Sequence, residues 1–421
     1  MSVPKGPSRR TVLQGGLAVA GLAATGGAAG TVVGEVAGGT APHGSRSRGK
    51  TPYVRRGRHV VFPQTGREYS SHAVDLMERA VVVDMLSPLQ LSVNKDENWL
   101  LDPARFTDAE YDAYVASGVS GFHIAVGVGG GRDAELAATA YLGSCNGFIA
   151  AHSDRFLRID SADDFGSAKE SGKIGLLLGI QNADHFTFDI KAVDQAWALG
   201  QRVSQLTYNS RNRIGNGATE RVDGGISDWG AAVIARMNSV GMALDVSHCG
   251  DRTTLDAFEL SQQPVLITHS NCRALVPGHP RCKTDEAIEA MAASGGVMGV
   301  TSVRNFVLDH EPTTLASMLD HYDYVAKLVG VEHLGLGSDI DMYGYDAIAP
   351  DLYDQLKAIY KDSYAFRDKI DIEGVDHPQR CYDLTEGLIG RGFSDDDILG
   401  ILGGNFIRVL GEIWAGMPER A

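Results

Sequence analysis

From about residue 80 onward, short apolar runs alternate with longer stretches whose apolar residues recur at spacings of three and four. The runs are VVVD (81–84), SGFHIAV (120–126), IGLLLGIQ (174–181), VSQLTY (203–208), MALDVS (242–247), PVLITH (264–269), GVMGVT (296–301) and HLGLGSD (333–339). Their hydrophobicity is nearly continuous, which predicts strands buried on both faces, as in a parallel sheet. The stretches between them, such as WGAAVIARMNSVG, TTLDAFELSQQ and DEAIEAMAASGG, predict amphipathic helices. Eight strand–helix units over roughly 320 residues predict a closed (β/α)₈ barrel of the α/β class, in preference to an open doubly wound sheet. No GxGxxG opens a helix after the first strand, which removes the main support for a dinucleotide-binding fold.

The N-terminus is patterned differently. Arg9 and Arg10 precede a mild apolar stretch rich in Gly and Ala, from about Thr11 to Val36. This resembles a twin-arginine export signal over residues 1–42, and it is too weakly apolar for a stable membrane span. Residues 43–77 carry a basic stretch and read as a linker or N-terminal arm, leaving 78–421 for the barrel. The expected location is therefore the periplasm or the extracellular space. A formal net charge of -15 argues against nucleic acid as a partner. The five Cys (145, 249, 272, 282 and 381) show neither a disulfide-scaffold nor a zinc spacing, so small buried side chains are the default reading.

Polar residues gather where the predicted strands end: Asp84, His123, Gln181, Asn209, His248, His269 and Asp339. In a barrel those ends converge on one face and build the active site. Two imidazoles and a carboxylate on neighbouring strand ends suit zinc, which takes His nitrogen and carboxylate oxygen.

The segments LTYNSRN, GISDWG, MNSVGMALDVSH, PVLITHSNCRAL, HPR, GGVMGVT and HLGLGSDID occur in an order that resembles the membrane (renal) dipeptidase family, as does LIGRGFSDDDILGILGGNFIRVL further on. The resemblance covers about residues 78–415. It implies an amidohydrolase-like barrel with two zinc ions at the strand ends. Of their ligands, the two His of the DxSH and SHS-like segments fall on His248 and His269. The Arg that binds a substrate carboxylate falls on Arg281, and the Asp that handles the proton of the attacking water falls on Asp339.

Other positions depart from the family pattern. The first strand of the family ends in DxHxD, and here Leu86 and Pro88 stand in the two ligand places after Asp84. The Glu that bridges the two ions falls on Gln181, a poorer ligand, and a substrate-contacting His falls near Ser210. The sequence resembles a bacterial branch of the family with these substitutions. One zinc ion, held by His248 and His269, is expected, with a second ion short of anionic ligands. Asn209 is expected to contact substrate. His123 is either an inward structural residue or a substitute ligand, Gln181 is a weak ligand at best, and Asp84 is a ligand or a structural acceptor.

The function these readings imply is metal-dependent hydrolysis of dipeptides or similar small amides with a free carboxylate. The alternatives are an exported barrel that binds a small carboxylate without turnover, and an enzyme of natural-product maturation. A small peptide is the expected partner, and a homodimer is an assembly the sequence allows.

Overall fold

The computed structural model describes residues 52–87, 99–131, 133–345, 347, 350–364 and 366–415. Residues 1–42, expected to be an export signal, and Pro88 lie outside these residues. The chain from Pro52 to Met77, expected as part of an arm, is folded. It forms a small antiparallel sheet of β1 (Val54–Arg56), β2 (His59–Phe62) and β3 (Arg67–Ser70), followed by a helix over Ser71–Arg79. Its basic residues face outward, while Val60, Phe62 and Tyr69 turn inward, and Tyr382 packs edge-on to Phe62. The alternation of side chains along a strand lets a charged segment carry a buried face.

The remaining strands are β4 (Val83–Asp84), β5 (Gly121–Val126), β6 (Phe156–Arg158), β7 (Ile174–Ile180), β8 (Gln201–Gln205), β9 (Ala243–Asp245), β10 (Val265–Ser270), β11 (Met298–Val300) and β12 (Leu334–Leu336). Eight of them run parallel in the order β4-β5-β7-β8-β9-β10-β11-β12. The ring closes where Met85 N–H donates to Leu336 O (2.9 Å) and Asp339 N–H donates to Leu86 O (2.8 Å). All eight predicted runs are barrel strands. The sequence reading missed β6, which pairs with Ile174–Leu176 before β8 takes over that edge of β7 at Leu178. Three residues are too few for a periodic signal.

Every residue of β7 and β10 is buried, as their unbroken apolar character requires. The helices begin where hydroxyl caps stand: Ser227 accepts from Gly230 N–H, and Thr284 from Ala287 N–H. Among the described residues, Asp395–Ala415 has the length and composition to cross a membrane, but half of its most apolar window is buried in the fold. All five cysteines are free and buried.

Candidate active site

The strand ends are joined by one carboxylate. Asp245, the last residue of β9, accepts from Ser247 N–H (2.9 Å), Ser247 Oγ (2.5 Å) and Thr268 N–H (3.1 Å) through Oδ1, and from Thr268 Oγ1 (2.6 Å) through Oδ2. His269 N–H donates in turn to Ser247 Oγ (3.1 Å). These bonds tie the end of β9 to β10 and bring the His248 and His269 rings to 5.0 Å, centroid to centroid.

Each ring is oriented through Nδ1. His248 Nδ1 meets Asn209 Oδ1 at 2.8 Å, and the ring stacks on Tyr208 at 4.1 Å. His269 Nδ1 meets Thr268 Oγ1 at 2.8 Å. The hydroxyl proton of Thr268 is engaged by Asp245, so its oxygen accepts and His269 Nδ1 carries the proton. In both rings Nε2 is buried without a hydrogen-bond partner. Burial, followed by the charges of Arg281 and Lys283 and by neighbouring imidazoles, holds both histidines well below the usual range. They are neutral, with Nε2 offering a lone pair, the form that binds metal.

Arg281 is fully buried. Its Nη1 donates to Ser247 O, its Nη2 lies 3.5 Å from His269 O, and its Nε has no partner. The guanidinium lies over Phe306, 5.3 Å from the ring centre. Lys283, also buried, donates to Val246 O (2.6 Å), Cys249 O (3.0 Å) and Thr254 Oγ1 (3.1 Å), and burial pushes its ammonium down to about 8. The Asp339 carboxyl is pushed up to about 7 by burial, against the opposing charge of Arg281. Asn209 (φ 57°) and Asp339 (φ 56°) are the two non-glycine residues with positive φ among the described residues, and both lie at strand ends of the barrel. Such backbone costs on the order of 1–3 kcal/mol and collects at functional sites.

The other candidates are engaged differently. Asn209 directs its amide oxygen to His248 and one amide N–H to Tyr364 OH (2.6 Å), so it positions a ring. Gly217 presses on the Asn209 backbone so closely that a Cβ there would lie 2.0 Å from Asn209 C. Asp84 is a structural acceptor, taking Ser338 N–H (2.8 Å), Ser338 Oγ (2.5 Å) and Leu86 N–H (3.3 Å), with Arg380 at 3.5 Å. Gln181 donates to Ala125 O (3.0 Å). His123 Nδ1 meets Met85 O at 2.6 Å, its Nε2 is buried and unpartnered, and burial lowers its imidazole.

The sequence reading missed Asp245, Thr268, Lys283 and Tyr364. The Asp of DVSH was a visible signal for the first. Tyr364, at the end of the helix Pro350–Tyr364, had none. Among the described residues no three His, Cys, Asp or Glu side chains stand closely enough to enclose an ion by themselves. The buried, unpartnered Nε2 atoms of His248 and His269 are of a donor type that suits a metal ion, and they are the residues that would hold one.

A sequence profile described as membrane dipeptidase (peptidase family M19) matches residues 70–358. The dipeptidase aclJ of Aspergillus oryzae is 29% identical over 58% of this chain and 52% of its own length, and the dipeptidase verJ of Clonostachys rogersoniana is 28% identical over 63% and 62%. The chain thus spans about half to three-fifths of the length of these curated relatives. An amidohydrolase from Pseudomonas aeruginosa superposes with a TM-score of 0.69 at 28% identity, over 82% of this chain and 99% of the other.

Proposed function

The chain belongs to the membrane dipeptidase family, and from that membership and the strand-end geometry we propose that it is a metal-dependent hydrolase of dipeptides or similar small amides with a free carboxylate. The observation that carries this reading is the pair of neutral imidazoles, His248 and His269, whose buried Nε2 atoms have no partner. They would hold a zinc ion. Such an ion supplies Lewis acidity, polarising an amide carbonyl and acidifying a water.

The chain's own residues do the rest. Arg281 pairs with the substrate carboxylate, for which a buried guanidinium with an unengaged Nε–H is suited. Asp339 accepts the proton of the attacking water at its carboxylate, and a carboxyl at about 7 is matched to that task near neutral pH. Asn209 and Thr268 keep the proton on Nδ1 of the two rings, so that Nε2 faces the reaction. Leu86 and the neutral Gln181 supply no anionic ligand where the family holds its second ion, which supports a single-ion site. We also propose export by the twin-arginine route, on the pair Arg9 and Arg10.

Elemental analysis of the purified protein, paired with a dipeptide panel, tests the reading. One ion per chain and hydrolysis abolished by a chelator is the expected result. A second reading, a binder of small carboxylates, draws support from Arg281 and Lys283, two fully buried cations beside the histidines. Carboxylate binding by a protein that takes up no ion and cleaves no dipeptide would favour it.

A further inference from the structure

Tyr364 ends the helix Pro350–Tyr364, and that helix brings it to the centre from beyond the last barrel strand. It is 5% exposed, and its ring packs edge-on to Phe306 with the centroids 5.2 Å apart. Its carbonyl accepts from His279 Nε2 (3.2 Å), while His279 Nδ1 accepts from Arg281 N–H (3.2 Å). Ring and backbone thus hold Tyr364 in place independently of its hydroxyl.

The hydroxyl oxygen meets two nitrogens. Asn209 Nδ2 donates to it at 2.6 Å, and His248 Nδ1 lies 3.4 Å from it. The same two residues also meet each other, Asn209 Oδ1 with His248 Nδ1 at 2.8 Å. An amide is a donor at one end and an acceptor at the other, and a neutral imidazole carries its proton on either nitrogen. Taken alone, the Asn209–His248 pair therefore permits two states. In one, Oδ1 accepts from Nδ1–H and Nε2 keeps its lone pair. In the other the amide is turned over, Nδ1 accepts from the NH₂, and the ring proton sits on Nε2.

The hydroxyl separates these states because it has one proton and two lone pairs. In the first state both neighbours present N–H, and its oxygen accepts from both, the His248 contact being the longer. In the second both present acceptors, and a single proton serves only one of them. We propose that Tyr364 is a positioning residue whose hydroxyl sets the direction of the Asn209 amide and, through it, the tautomer of His248, leaving Nε2 unprotonated. The consequence rests on the metal-dependent reading above, since only this tautomer offers Nε2 to an ion. The tautomer itself is a property of the metal-free chain.

The test uses the full folded protein, stripped of metal and labelled with ¹⁵N-histidine, with long-range ¹⁵N NMR near neutral pH. Wild type should carry the His248 proton on Nδ1. In Tyr364→Phe, which keeps the ring on Phe306, the ratio of the Nδ1–H to the Nε2–H form should fall about 10-fold, the worth of one hydrogen bond. Adding Asn209→Asp to Tyr364→Phe should restore Nδ1–H, because a carboxylate accepts at both ends and cannot be turned over into a donor. A merely structural hydroxyl would show no such rescue. A wild type protonated on Nε2, or an unchanged ratio in Tyr364→Phe, would overturn the proposal. Should Tyr364→Phe fail to fold, 4-fluorophenylalanine in its place fills the volume of the hydroxyl and makes the same comparison. Competition for Zn²⁺ with a chromophoric chelator is the separate arm, with affinity about 10-fold weaker in Tyr364→Phe expected. A wild type that takes up no ion removes the metal-dependent reading and leaves the tautomer result standing. An ion bound equally well by a Tyr364→Phe protein of unchanged tautomer removes only this inference.

Discussion

Replacing Asp245 by Asn tests how the centre is built, because it changes one atom and should move a proton two residues away. Oδ1 of Asp245 faces three donors, Ser247 N–H, Ser247 Oγ and Thr268 N–H, whereas Oδ2 faces only Thr268 Oγ1. The asparagine amide will therefore keep its oxygen in the first place and put its NH₂ in the second. Thr268 Oγ1 must then accept from that NH₂, and of its two other neighbours, His269 Nδ1 at 2.8 Å and Ser247 Oγ at 3.2 Å, its own proton turns to the nearer and more basic, His269 Nδ1. Nδ1 becomes an acceptor, the ring proton moves to Nε2, and the lone pair that would bind metal is lost. The same logic makes an Asp-to-Asn change at an orienting carboxylate hold the wrong tautomer with little change in geometry. Because every bond keeps a partner, the stability cost is about 1–3 kcal/mol, from the weaker bonds of an uncharged acceptor. Metal affinity should fall about 10- to 100-fold, as for other residues that orient a ligand. Long-range ¹⁵N NMR of the histidines reads the tautomer directly, and chelator competition reads the affinity. If His269 keeps its proton on Nδ1 and the affinity is unchanged, Asp245 is only a structural tie between β9 and β10.

Arg281→Lys keeps the charge but loses the planar fork, at a cost of about 1.5–3 kcal/mol. That is on the order of 10- to 100-fold in kcat/KM for dipeptides and much less for their C-terminal amides; equal losses for both would show that Arg281 does not read the carboxylate. With Asp339 as the proton acceptor, kcat/KM should rise with pH to a limb at about 7 or, with a cation bound beside it, lower. Asp339→Asn should remove turnover while sparing binding of a product carboxylate, and full activity in that variant would assign the base elsewhere. The folded-state carboxyl lies above its ordinary 3.8, so the folded chain gives up this proton later than the unfolded chain, and stability drawn from it is lost as pH rises to about 7. Asp339→Asn should therefore melt higher than wild type above pH 7, and an unchanged or lower melting temperature there would contradict that burial. Replacing Arg9 and Arg10 by Lys should retain the protein in the cytoplasm, and unchanged export on fractionation would refute the twin-arginine route.

Much of the site was legible in the sequence because strand ends carry it. His248, His269 and Asp339 follow or end apolar runs, and the barrel carries those runs to one face, whereas Arg281 lies in a loop and was pointed to by the family resemblance alone. Asn209 and Asp84 were visible as strand-end polar residues, but their roles were not. Whether an amide touches substrate or a histidine depends on what lies across the barrel, and the partners of Asn209 are 39 and 155 residues away in sequence. His123 could not be assigned because a strand's period of two leaves two faces to choose between, and pairing with β7 makes the choice.

The sequence by itself determined the eight strands, their order and the residues that could carry the chemistry, since hydrophobic period is a local property and the family's segments lie in order along the chain. Only the tertiary structure decided how those residues are used. The Asp245 clamp, the Tyr364 contact to Asn209, the closure of β12 on β4 and the empty nitrogen of His123 all join segments far apart in sequence. Each is set by which groups the closed barrel leaves facing one another once water is excluded, where a buried donor or acceptor must find a partner or lose free energy.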